Sequence, residues 1–226
     1  YKVAPRVLTD LGAEIIPLGC SPNGRNINLR CGSTSPELIQ ATVSGVHADV
    51  GIALDGDGDR LVMVDHLGRI ADGDQLLYVI ASDRKRAGTL QGPVVGTVMS
   101  NLGLEQKLQA EGVEFLRAKV GDRYVLAMLK EHGGELGGET SGHLLCLDRM
   151  TTGDGLISAL EVLAVMKRTG RPLAELVAGM PKFPQVMINV RVKQRIDLSK
   201  SQAIQDAVKR VEEGLGTTGR VVLRAS

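Results

Sequence analysis

Residues 50–65 read VGIALDGDGDRLVMVD: an apolar run, three aspartates at alternate positions with only glycine between them, an arginine, and a second apolar run. Runs of about five residues rich in Val, Ile, Leu and Met have the length and composition of strands, so the aspartates fall in the connection between two strands. Side chains at i, i+2 and i+4 of an extended chain share a face, and Gly56 and Gly58 let the backbone bend. Asp55, Asp57 and Asp59 are therefore expected to converge, and converging like charges require a cation. Donors that are all oxygen select a hard divalent ion, Mg2+ or Ca2+. The plainer alternative is a solvated acidic turn, but such turns seldom stand between two apolar strands, where sheet ends place ligands. Arg60 points further. A guanidinium beside a metal site neutralises and orients a phosphoryl group, which a structural calcium loop does not need. An EF-hand does not fit, because its sixth position requires Gly where Arg60 stands and its twelfth requires Glu where His66 stands. A phosphatase with an aspartyl nucleophile in an Asp-x-Asp motif remains compatible with the local residues.

Working outward, LVMVD (61–65), the turn DHLG (65–68) and RIA (69–71) read as a short hairpin beside a parallel sheet. Upstream, AEIIPL (13–18) is strand-like and SPELIQATVSGVH (35–47) helical, with Ser35 as N-cap, Pro36 at the first helical position and Glu37 in the first turn. Downstream, GDQLLYVIASDRKR (73–86) is helical, and the alternation of strands and helices is the signature of an α/β fold. After the connector AGTLQGP (87–93) a second cycle begins, with VVGTVM as strand, NLGLEQKLQAEG as helix and VEFLRAKV as strand. The segments LTDLGAEIIPL (8–18) and LQAEGVEFLRA (108–118) echo each other in a helix end, a glycine, a glutamate and an apolar strand. Beyond LISALEVLAVMKRTG and PLAELVAGM the text changes to a strand-like QVMINVRVK, a helical SKSQAIQDAVKRVEEGLG and a strand-like RVVLRA. The expected architecture is two successive α/β mixed-sheet domains of similar topology, residues 1–87 and 88–183, followed by the beginning of an α+β domain, residues 184–226.

Composition bounds the function. With 226 residues and 43% hydrophobic content the chain can build cores. Lys plus Arg number 27 against 26 Asp plus Glu, and there are only five aromatic residues, so neither a basic surface nor a stacking platform points to nucleic acid or a charged membrane. No apolar run approaches the roughly 20 residues of a membrane span. Cys20, Cys31 and Cys146 lack zinc-site spacing and suit buried thiols in a reducing cytoplasm.

A second constellation lies in GGETSGH (137–143). One residue separates Glu139 from Ser141, so both can face a ligand, while the glycines permit close backbone approach. A carboxylate there accepts from two hydroxyls; the alternative is a glycine-rich hairpin with a surface glutamate. His143, bordering the strand LLCLD, is read either as a packed histidine or as a group beside the ligand. In AKVGDRYV (118–125), Lys119, Asp122 and Arg123 surround a glycine at a strand-to-helix junction suited to an anionic substrate, with Asp122 equally readable as a helix cap. In TTGDG (151–155), Asp154 reads as a helix cap.

DGDGDR after a strand resembles the metal-binding loop of the α-D-phosphohexomutases, sugar-phosphate mutases built from four domains, and GGETSGH resembles their sugar-binding loop, in the expected order. KVGDRYV, PNGRNIN (22–28), ADGDQLLYVIA (71–81), GTVMSNLGLE (96–105) and TTGDGLISALEVLAVM (151–166) resemble the branch acting on glucosamine phosphates, and the likeness runs from Tyr1 to Ser226. The resemblance implies that Asp55, Asp57 and Asp59 hold Mg2+, that Arg60 steadies a phosphate, and that Glu139 and Ser141 hold adjacent sugar hydroxyls. It implies that Arg224 and Ser226 are the first and third residues of a phosphate-binding loop resembling Arg-x-Ser-Gly-Thr-Glu-Pro. The family's Ser-His-Asn-Pro loop, which carries the phosphoserine, is not in the sequence, and YKVAP matches a helix whose preceding strand is missing. The expectation is an internal fragment, inactive alone, of a cytoplasmic isomerase that interconverts glucosamine 6-phosphate and glucosamine 1-phosphate through a bisphosphate. Such an enzyme serves amino-sugar and peptidoglycan-precursor synthesis, with a small sugar phosphate as partner; a homodimer of the full-length protein is compatible. The alternatives are phosphomannomutase or phosphoglucomutase activity, then an aspartyl phosphatase, then a non-catalytic calcium module.

Overall fold

The computed structural model describes residues 1–192 and 198–224. Its elements in chain order are α1 (Val3–Asp10), α2 (Glu37–Val46), β1 (Val50–Leu54), β2 (Leu61–Asp65), β3 (Ile70–Ala71), α3 (Gly73–Ala87), β4 (Val94–Thr97), α4 (Leu102–Ala110), β5 (Phe115–Ala118), α5 (Asp122–His132), β6 (Leu136–Gly138), β7 (Leu144–Cys146), α6 (Gly155–Thr169), α7 (Leu173–Val177) and α8 (Gln202–Leu215). The α/β class expected from the sequence is the class observed.

Two sheets carry the fold. The first is β1-β2-β3, with Leu54 opposite Leu61 and Val50 opposite Asp65. The aspartate loop is therefore the tip of an antiparallel hairpin. This sheet is antiparallel throughout, which corrects the expectation of a hairpin flanking parallel strands. The strand expected at residues 13–18 does not form, because a strand exists only where a neighbour completes its ladder, and no described strand lies beside it. The second sheet, β5-β4-β6-β7, is mixed: β4 pairs in parallel with β5 and β6, and β6 turns back antiparallel into β7. Its parallel crossovers run through α4 and α5, and the hairpin tip between β6 and β7 is residues 139–143. Both motif loops are thus hairpin tips, one on each sheet.

The echo between residues 8–18 and 108–118 is visible at the helix ends. The Ala13 amide donates to the Leu8 carbonyl at 3.0 Å, and the Val113 amide to the Leu108 carbonyl at 2.9 Å. Gly12 and Gly112 turn the chain between them at φ +88° and +69°. The start of α2 differs from expectation. Pro36 is the N-cap and provides no side-chain cap bond, while the Ser35 hydroxyl donates to Glu37 Oε2 at 2.9 Å.

Helix α3 begins with a full capping box, Asp72 with Gln75, and buries Leu76, Leu77 and Ile80. These join Leu61 and Met63 of β2, Leu104 and Leu108 of α4, Phe115 and Leu136 in one continuous core. A smaller core of Val95, Ala118, Val125, Leu129 and Leu145 lies under α5. The sheet's two faces are thus covered, and α3 packs chiefly on α4, β6, α6 and α7. Arg84, 9% exposed, joins α3 to α6 by bonding Asp148 and Glu161, each at 2.9 Å. In the last segment α8 forms but buries no residue, and neither 185–192 nor 220–224 is in a strand. Val186, Met187 and Ile188 are largely exposed; with no described strand alongside, their backbone has no ladder to join. Among the described residues, no helix is long and apolar enough to cross a membrane.

Candidate functional site

The two hairpin tips meet. Arg60 and His143 form an isolated antiparallel bridge, and the Leu61 amide donates to the Gly142 carbonyl at 3.0 Å. Gly142 permits this approach: its φ is +94°, and a Cβ there would lie 2.0 Å from the Leu61 carbonyl oxygen. A side-chain contact repeats the link, with His143 Nδ1 3.1 Å from Asp59 Oδ2. His143 is buried, and its Nε2 has no partner, because the ring rests against Gly153, where a Cβ would come within 2.3 Å of Nε2. The histidine is thus packed and hydrogen-bonded, the first of the two roles left open by the sequence, and its bond goes to the aspartate loop.

Within that loop Asp55 is turned inward. Its Oδ1 accepts from the Gly58 amide at 3.1 Å and the Arg60 amide at 3.2 Å, and its Oδ2 lies 3.9 Å from Arg60 Nε. Asp57 is exposed and makes no hydrogen bond or ion pair with the described residues. A third support comes from α6, whose Asp154 caps Leu156 and Ile157 while the next residue, Gly155, donates its amide to the Gly58 carbonyl at 2.8 Å. The sequence revealed the cap but not this hold on the loop, which only a Gly-specific close approach signals: a Cβ at 155 would sit 3.0 Å from the Gly58 and Arg60 carbonyl oxygens.

The expected convergence of the three carboxylates is not what is observed. Among the described residues, no three His, Cys, Asp or Glu side chains form a group able to hold a metal ion. Asp55 is occupied by backbone amides and Asp59 by His143. The donor chemistry nevertheless suits a hard cation: one short loop carries three carboxylates, answered nearby by one guanidinium and one imidazole.

In the second tip, Glu139 Oε1 accepts from the Gly121 amide at 2.8 Å, so the glutamate is tied to the junction that carries Lys119, Asp122 and Arg123. Gly121, at φ +124°, is the N-cap of α5 and offers no side chain. Asp122 is not the cap; it accepts from the Arg123 amide at 2.7 Å. Tyr124 gathers the two cations: the Arg123 guanidinium stands 4.6 Å and Lys119 Nζ 5.9 Å from its ring centroid. Ser141 is exposed at the tip. The structure thus brings Glu139, Ser141, Lys119, Asp122 and Arg123 to one end of the second sheet, beyond the last residues of β5 and β6, with Asp59, Arg60 and His143 joined to it. Arg224 is exposed and makes no hydrogen bond or ion pair among the described residues; Ser226 lies outside them. The sequence reading missed Asp74 and Thr140, which are hydrogen-bonded to each other at 2.8 Å.

Family models described as phosphoglucomutase/phosphomannomutase match the chain throughout: alpha/beta/alpha domain II at residues 1–68, alpha/beta/alpha domain III at 72–183 and the C-terminal domain at 187–226. A phosphoglucosamine mutase of Alkalilimnicola ehrlichii is 57% identical over 226 residues, which are 100% of this chain and 50% of that protein. The chain spans about half the length of the curated relatives it matches. A phosphoglucomutase/phosphomannomutase family protein of Burkholderia thailandensis superposes with a TM-score of 0.68 at 29% identity, over 79% of this chain and 40% of that one. The N-acetylphosphoglucosamine mutase of Aspergillus fumigatus, solved in complex with GlcNAc-6P and magnesium, shares the fold at TM-score 0.66 and 18% identity, over 83% of this chain and 49% of its own.

Proposed function

The chain belongs to the phosphoglucomutase/phosphomannomutase family, and from that membership we propose that the full-length protein interconverts glucosamine 6-phosphate and glucosamine 1-phosphate in the cytoplasm. The observation that carries the reading is the backbone latch between the two hairpin tips, Arg60 to His143 and Leu61 to Gly142, which supports reading the aspartate loop as phosphate-handling and its neighbour as hydroxyl-binding parts of one site. The likeness to phosphoglucosamine mutases over the whole chain supports the 2-amino sugar over 2-hydroxy sugars.

In this proposal Asp55, Asp57 and Asp59 hold Mg2+. A divalent ion held there would supply neutralisation of phosphoryl charge, favouring attack at phosphorus. Arg60 orients the phosphoryl oxygens. Glu139 accepts from sugar hydroxyls, its carboxylate held in place by the Gly121 amide, and Ser141 adds a second contact at the tip. Lys119 and Arg123, gathered on Tyr124, receive the phosphate that is not being transferred. A serine elsewhere in the full-length protein gives its phosphoryl group to the free sugar hydroxyl, making a bisphosphate. The other phosphate then returns to the serine, so no inorganic phosphate is released. Positioning and charge stabilisation supply the rate in such transfers. Arg224 and Ser226 open the phosphate-binding loop of the last unit. We place the boundary between the first two units in residues 69–71 rather than at 87/88, since α3 packs on the second unit.

The test is turnover by the full-length protein. Glucosamine 6-phosphate should be converted in the presence of Mg2+ and catalytic bisphosphate, with loss of activity on chelation and in Asp57→Ala, and Glu139→Ala should act mainly on KM. Stoichiometric release of phosphate would instead mark a phosphatase, and preference for mannose or glucose phosphates would overturn the substrate assignment.

A further inference from the structure

Asp74 is a buried carboxylate that no step above uses. It is 1% exposed at the second position of α3. Its Oδ2 accepts two hydrogen bonds, from the Asn101 amide at 2.8 Å and from the Thr140 hydroxyl at 2.8 Å. Its Oδ1 is buried with no partner. Helix capping does not explain it, because Asp72 already closes a capping box with Gln75. An oxygen left without a donor in the interior costs stability, and burial accordingly raises the carboxyl's affinity for its proton, with Asp72 adding to that and the Asn101 amide, Thr140 and Ser100 opposing it; Arg220 is the nearby cation.

Both bonds lead somewhere definite. Thr140 lies between Glu139 and Ser141, and the first turn of α3 holds it twice: the Gly73 amide donates to its carbonyl at 3.1 Å, and Asp74 takes its hydroxyl. The seat is tight, since a Cβ on Gly73 would stand 2.1 Å from the Glu139 carbonyl oxygen. Asn101 faces the other way. Its Nδ2 donates to the Phe183 carbonyl at 2.8 Å and its Oδ1 accepts from the Phe183 amide at 3.0 Å. Lys182, the preceding residue, pairs with Asp72 at 2.5 Å. Phe183 lies where the chain leaves the second unit.

We infer that Asp74 is a positioning residue which fixes the 139–143 loop for its ligand through Thr140 and registers that loop, through Asn101, against the strap at 181–183. This rests on the reading of Glu139 and Ser141 as sugar contacts. What the carboxylate supplies is an acceptor at one oxygen, so an amide in its place preserves the register while a methyl group does not.

The experiment measures kcat and KM for glucosamine 6-phosphate, together with the melting temperature, in the full-length protein. Asp74→Ala and Thr140→Val should each raise KM about tenfold or more with kcat within about threefold, and the double variant should be no worse than Asp74→Ala alone, because Asp74→Ala already removes the bond that Thr140→Val removes. Asp74→Asn should stay within about threefold of the parent in KM. Gln75→Ala, which breaks the capping box without touching Thr140, should lower the melting temperature and leave KM in place. An unchanged KM in Thr140→Val, additive effects in the double variant, or a KM rise in Gln75→Ala equal to that in Asp74→Ala would each overturn the inference. If Asp74→Ala does not fold, Thr140→Val and Asp74→Asn decide it by the same criteria. Glu139→Ala separates the two levels. A raised KM there with an unchanged one in Thr140→Val defeats the inference alone, whereas an unchanged KM in Glu139→Ala defeats the sugar-loop reading and the inference with it.

Discussion

Cys146, in β7, is buried between the second sheet and α6, and burial pushes its thiol up to about 12 against the pull of the Arg84 guanidinium nearby. The thiolate is the reactive form, so at pH 8 iodoacetamide should modify the half-buried Cys20 and Cys31 while Cys146 reacts only after denaturation. Peptide mass spectrometry reads this directly, and early labelling of Cys146 in native protein would contradict its placement. At this scale the sequence was legible where the chemistry is declared by residue type and spacing. Asp55, Asp57 and Asp59 stand out as candidates by like charges set among glycines, and Glu139 by a lone carboxylate in a glycine-rich loop. Asp74 did not, because an acidic residue in the first turn of a helix is the ordinary complement to the helix dipole; its real partners, Thr140 and Asn101, stand 66 and 27 residues away. The convergence expected of the three aspartates also failed at this scale, since two of them are turned by bonds to backbone amides and to His143.

Among elements, the joint between the two hairpin tips is made mainly by backbone, and Gly142 is its tightest point. Gly142→Ala must relieve both a positive φ and a methyl group driven 2.0 Å from the Leu61 carbonyl oxygen. The expected outcome is a loss of about 2–3 kcal/mol in unfolding free energy and a fall in turnover of at least a hundredfold. Chemical denaturation and steady-state kinetics measure the two, and a fully active variant would show that the latch does not set the site. Most elements could be read from periodicity, and α3, α6, β4 and β5 match it closely, whereas β6, whose Gly137 and Gly138 read as loop, was not seen. The exceptions, 13–18, 185–192 and 220–224, have strand composition without strand structure. Side-chain pattern states a preference for extended chain, but a ladder depends on what lies alongside, and composition is silent on that.

At the level of the whole molecule, the sequence showed two α/β cycles and could not show that a single core runs through both sheets. That union depends on α3, whose apolar face is continuous with Leu61 and Met63 on one side and with Leu104 and Leu136 on the other. A reading along the chain assigns such a helix to the unit it follows, although its packing ties it to the unit ahead. The proposed reaction needs a phosphoserine, and the 226 residues contain no Ser-His-Asn-Pro loop. The chain expressed by itself should therefore show no mutase turnover in a coupled assay, while the full-length protein does; activity in the shorter species would refute the assignment of roles. The shared interior has a mechanical corollary. Two loops seated on one continuous hydrophobic bed should keep their spacing, and in the proposed reaction it would then be the bisphosphate that performs the half-turn between transfers, over a floor that stays still.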